Sequence, residues 1–157
     1  MLMPKLKVAD FYYGSVLSLL FNNHIVPALV EGNSDRQVYD LTTNEAEFRL
    51  FIKYRSENYA GAGEYKSWQF VFSESDLNEI ASYIDSGKNL LLALVCGSKK
   101  LNESELAILN IDDIEQCLGN GKTSLTISRD KGEKAFRISI GGGRDNSIKV
   151  PSNRFIG

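Results

Sequence analysis

Two sets of side chains in this sequence have the type and spacing to do chemistry. One is a set of carboxylates and lysines: Asp40 closes the run Val38-Tyr39-Asp40-Leu41, and an acid-x-lysine follows at Glu64-Tyr65-Lys66. Metal-dependent phosphodiester cleavage needs acidic oxygens to hold Mg²⁺, which generates a nucleophile and stabilises the leaving oxygen, with a lysine to orient water or offset charge. The other set is cationic. Phe48 to Tyr54 (FRLFIKY) alternates, so that Arg49, Lys53 and Arg55 lie on one strand face and Phe48, Leu50, Ile52 and Tyr54 on the other. Cations on one face, with Trp68 nearby in sequence, can receive phosphates and stack on a base. The alternative reading of the same face is a solvated edge that discourages aggregation.

Other chemistries are poorly supplied. His24 is the only imidazole, and it sits at a helix-to-strand junction where capping explains it. Cys96 and Cys117 form no CxxC pair and read as small apolar core residues, which with a single histidine excludes multi-histidine metal sites and zinc knuckles. Gly121-Lys122-Thr123 ends like a phosphate-binding loop. The glycine required five residues earlier is Gln116, and a helix precedes where a strand should, so Gly119-Asn120-Gly121 reads as a helix stop and turn. Gly61, Gly63 and Gly141 to Gly143 open no helix that would lend them a dipole, so they read as loops.

These residues need elements to position them. Val8, Phe11, Tyr12, Val16, Leu19 and Leu20 recur at helical spacing and predict a helix over 8–22. Strands are expected at 25–30, 36–41, 48–54, 68–72, 90–96, 105–109, 124–128, 135–140 and 148–150, with a helix capped by Ser73 or Ser75 running to about Tyr83 and a short helix over 111–118. That pattern predicts a mixed α/β, α+β chain: a single domain over 1–157 with one central mixed sheet, about three helices and a C-terminal antiparallel β meander. Residues 8–118 form its core and 119–157 a β-rich tail.

The N-terminal helix, the strand carrying Asp40, the apolar strand ending Lys53-Tyr54-Arg55-Ser56, the Trp68 strand with its helix, LLLALVC and the 105–118 strand-helix together resemble the PD-(D/E)xK, or restriction-endonuclease-like, superfamily. The resemblance implies that Asp40 is the first metal ligand, Lys53 stands at the acid position and Arg55 at the lysine position. A lysine where a carboxylate belongs repels the ion that the site should attract, so the motif is degenerate. The Tyr12-Tyr13-Gly14 helix and the KYRS strand also resemble those of small bacterial proteins of unassigned activity.

Composition narrows the rest. The chain has 157 residues, 43% of them hydrophobic, and a formal charge of -2, which excludes a disordered protein. Its longest apolar run is too short to span a bilayer and its start lacks a secretory pattern, so a cytoplasmic protein without a membrane partner is expected. The charge is unevenly distributed: residues 1–121 hold 10 Lys and Arg against 17 Asp and Glu, and residues 122–157 hold 8 against 3. The expectation is a non-catalytic binding module with no cofactor, taking a protein partner or nucleic acid through Arg49, Lys53, Arg55 and Trp68. The alternative is a Mg²⁺-dependent nuclease using Asp40 with Glu64 and Lys66.

Overall fold

The computed structural model describes residues 4–33, 35–56, 59–60 (backbone only), 65–130, 132–140 and 146–155. Helix α1, Val8–Asn22, starts where the Asp10 carboxylate accepts the Lys7 N–H at 2.8 Å. It stops where the Asn23 side chain donates to the Leu19 carbonyl and His24 takes a left-handed turn, φ 62°. Strands β1 (Ala28–Gly32), β2 (Gln37–Thr42) and β3 (Glu47–Arg55) follow as an antiparallel meander. After β4 (Tyr59–Ala60) and β5 (Lys66–Val71) comes helix α2, Glu74–Asp85. Strand β6 (Leu90–Cys96) returns parallel to β3, and β7 (Glu105–Leu109) pairs antiparallel with β6. Helix α3 (Ile111–Leu118) then leads to β8 (Ser124–Arg129), β9 (Ala135–Ser139) and β10 (Ser147–Pro151).

The fold is α+β, and among the described residues its strands form two five-stranded sheets. The first is mixed, ordered β1-β2-β3-β6-β7; the second is antiparallel, ordered β10-β9-β8-β5-β4. The expected C-terminal meander is therefore present, and it recruits the Trp68 strand, which pairs with β8 and not with the central sheet. In that pairing the alternation of the strands aligns their apolar rows. Trp68, Phe70 and Phe72 point to one side of β5, and joining the meander sets that row against Leu125, Ile127, Phe136 and Ile138.

Both faces of the first sheet are covered, which the alternation of β3 did not reveal. The Leu50, Ile52, Leu91, Ala93 and Ile108 face is buried under Tyr12, Tyr13, Val16 and Leu20 of α1. The opposite face, with Val38, Phe51, Leu92 and Leu94, packs on α2, α3 and the second sheet in one continuous core. Strand β6 is buried along its whole length, as a run of apolar residues in a parallel pair should be. Both cysteines are buried, and burial raises the Cys117 thiol to about 12 and the Cys96 thiol well above its usual value, so they act as core residues. Among the described residues, no helix is long and apolar enough to cross a membrane.

Candidate functional site

Arg49 and Lys53 of the cationic β3 face are turned inward, and Arg55 at its end is exposed. Register pairs Asp40 with Arg49 and Val38 with Phe51, so the apolar Val38-Phe51 pair divides this face into two ionic ends. Four residues separate Arg49 from Lys53, about 13 Å of strand. Helix α2 lies along the same face, with Tyr83 at one end and Asp76 at the other.

At the first end, Arg49 grips Asp40 through two bonds, Nε to Oδ1 at 2.8 Å and Nη2 to Oδ2 at 2.9 Å, and its guanidinium lies 4.7 Å from the centre of the Tyr83 ring. The hydrogen bonds from Arg49 hold the Asp40 carboxyl below its usual range against the opposing effect of partial burial.

At the second end, the Asp76 carboxylate, 2% exposed, takes three charged or backbone donors. Arg36 Nη1 donates to Oδ1 at 2.7 Å, Lys53 Nζ to Oδ2 at 2.7 Å, and the Ser73 N–H to Oδ2 at 3.0 Å. Burial alone would raise the pKa of Asp76, but these donors outweigh it and the carboxyl titrates below its usual range. The Arg36 Nε also reaches Glu31 at 2.6 Å, and its Nη1 reaches the Ser75 hydroxyl at 3.1 Å. Asp76 occupies this place because it is the N3 residue of α2: Ser73 Oγ accepts the Asp76 N–H at 3.0 Å, completing a capping box. One side chain thus caps a helix and pairs with two buried cations, while Glu31 supplies the second negative charge, to Arg36.

Beside this cluster lies an open cleft of about 510 Å³, lined by Asp35, Lys53, Arg55, Ser56, Gln69 and Ser73 among others. Lys53 and Arg55 meet here, as the alternation of β3 requires. Asp40 does not join them, because it sits at the opposite end of β3, far beyond the 2–3 Å reach of a shared metal ion. Lys66 opens β5 in the second sheet, opposite Arg129, and the expectation for Glu64 lies outside the described residues. Among the described residues no cluster of three or more His, Cys, Asp or Glu is arranged to hold a metal ion. Trp68 is a correction to the base-stacking expectation. It is 1% exposed, and its Nε1–H donates to the Gly97 carbonyl at 2.8 Å, so it presents no ring face to a ligand.

Other sequence candidates resolve simply. Lys122 donates to the Ile140 carbonyl, and Asn120 and Gly121 both have positive φ, as a turn between helix and strand requires. The basic tail turns back on the acidic portion: Arg129 pairs with Glu105, and Arg154 pairs with Asp113 at 2.6 Å.

The chain matches no protein-family model, no curated protein and no solved structure. The site must therefore be read from its own chemistry. Sequence reasoning missed Arg36 and Asp76, its two most engaged charges. The signal for Asp76 was present as Ser73 followed three residues later by an acid, a helix-start pattern that does not indicate its partners on β3 and before β2.

Proposed function

We propose that this protein is a non-catalytic binding module on a degenerate restriction-endonuclease-like core, and that its ligand is a protein. The observation that carries this reading is the state of the acids around β3: Asp76 is held by Arg36 and Lys53, and Asp40 by Arg49. An acid bound by guanidinium or ammonium groups offers little to a divalent cation. The resemblance rests on the element order of the N-terminal helix and the strands that follow it, with the Trp68 strand placed in the second sheet. Nucleic acid is the weaker ligand class, because Arg49 and Lys53 are engaged inside the fold and Trp68 is buried.

The test is incubation with single- and double-stranded DNA and RNA in Mg²⁺ or Mn²⁺, alongside mobility-shift titrations at rising salt. The expected result is no cleavage and no salt-sensitive shift. Cleavage abolished by EDTA and by Asp40→Ala would overturn the reading in favour of a nuclease. A shift that weakens steeply with salt and with Arg55→Glu would overturn it in favour of nucleic-acid binding.

A further inference from the structure

The outer face of helix α1 is less polar than that of an ordinary surface helix: Val8, Phe11, Leu19 and Phe21 are exposed beside Asp10, Ser15, Ser18 and Asn22. Its fifteen residues include one charge, Asp10, whereas α2 exposes Glu74 and Asp85 opposite its buried stripe. Tyr12, Tyr13, Val16 and Leu20 account for packing on the first sheet. Phe11, 49% exposed, and Leu19 remain on a second flank, with Val8 one turn earlier. Across from that flank stand Leu101, 53% exposed, with Ser104 and Leu106, and between the two walls runs a groove of about 350 Å³.

Three of the polar side chains in the groove walls are already engaged, and Ser18, exposed on α1, stands at its margin. Ser15 Oγ donates to the Tyr12 carbonyl at 2.6 Å, Ser104 Oγ accepts the Ser98 N–H at 3.1 Å, and Glu105 is paired with Arg129. An apolar side chain seated against Ser15, Ser104 and Glu105 displaces water without breaking their bonds. The approaches are basic. Lys5 and Lys7 precede α1, and Lys99 and Lys100 precede Leu101; all four are exposed, against Asp10 and Glu103 nearby in sequence. In a chain of net charge -2 this is a local reversal of sign.

We propose that this groove is the docking site for the partner, and that the docking segment is an acidic amphipathic helix. Its apolar side chains, spaced i, i+3 or i+4 and i+7, seat between Phe11, Leu19, Leu101 and Leu106, and its carboxylates meet the four lysines. The proposal rests on the reading of the protein as a protein-binding module. Shape separates this occupant from an anionic lipid surface, since a bilayer takes up protruding tips whereas the ridge of a helix fills a recess.

The experiment selects a randomised library of four-turn helical peptides against the full chain, then compares Phe11→Ser, Leu101→Ser and the Lys7→Glu/Lys100→Glu double variant. These positions are exposed, and unchanged melting curves confirm that each variant is folded. Enriched peptides are expected to carry apolar residues at helical spacing with an excess of Asp and Glu. They should bind each variant about tenfold more weakly, as truncated anchor contacts do. Amide shifts on titration should concentrate at Phe11, Leu19, Leu101 and Leu106. Absence of enrichment, enrichment of basic peptides, indifference to Phe11→Ser, or binding confined to phosphatidylserine vesicles overturns the proposal. Any of these outcomes, with nuclease and shift assays still negative, removes the groove alone, whereas a positive result in those assays removes the reading of a protein-binding module itself.

Discussion

Asp76 holds Lys53 of β3 and Arg36 ahead of β2. Removing it strands Lys53 in a buried setting and leaves Arg36 with Glu31 as its carboxylate partner, so Asp76→Ala should cost about 3–5 kcal/mol, read from urea denaturation. Lys53→Met is milder, because Arg36 and the Ser73 N–H still hold the carboxylate. The expected order, Asp76→Ala well below Lys53→Met, reverses if Lys53 and not Asp76 organises the cluster. The same residue gives an acid limit. Its carboxyl titrates below its ordinary value of 3.8 in the folded chain, so its stabilisation is complete above that value and is lost as the pH falls toward the folded one. Unfolding measured from pH 6 downward should show this acid loss in the wild type and a shallower one in Asp76→Asn.

Elements were more legible than their partners. The helix over 8–22, the strands at 90–96 and 105–109 and the helix over 111–118 lie where periodicity puts them, because each carries its full pattern within one segment. The pairing of β5 with β8 was not legible, since alternation tells which residues share a face and not which strand lies alongside. The inward cations were missed for a similar reason. Arg49 and Lys53 look solvated in sequence, and the acids that allow them to be buried, Asp40 and Asp76, lie on other elements. Gly97 joins such elements at the end of β6. A Cβ there would stand 2.7 Å from the Arg55 carbonyl oxygen and 2.7 Å from the Tyr12 hydroxyl. The backbone carbonyl cannot swing away, so Gly97→Ala should destabilise by about 1–3 kcal/mol, seen as a lowered melting temperature.

At the scale of the whole molecule, the two sheets share one core, in which Phe51 and Leu92 of the first join Trp68, Ile127 and Phe136 of the second. Neither sheet should survive loss of the other. Urea unfolding followed by the emission of Trp68 and by far-ultraviolet circular dichroism should give coincident transitions, and separated midpoints would show that the sheets unfold independently. The uneven charge along the sequence also acquires a meaning here, since two of the eight cations of the basic tail, Arg129 and Arg154, pair with Glu105 and Asp113 of the acidic portion.

The pairing of β5 with β8 also governs timing. During synthesis the Trp68-Phe70-Phe72 face leaves the ribosome long before Leu125 and Ile127 exist to cover it. In that interval β6 can already lie beside β3, but β5 is an uncovered apolar strand with an open edge. The nascent chain is then most prone to aggregate, and most dependent on chaperones, between completion of the first sheet and arrival of β8.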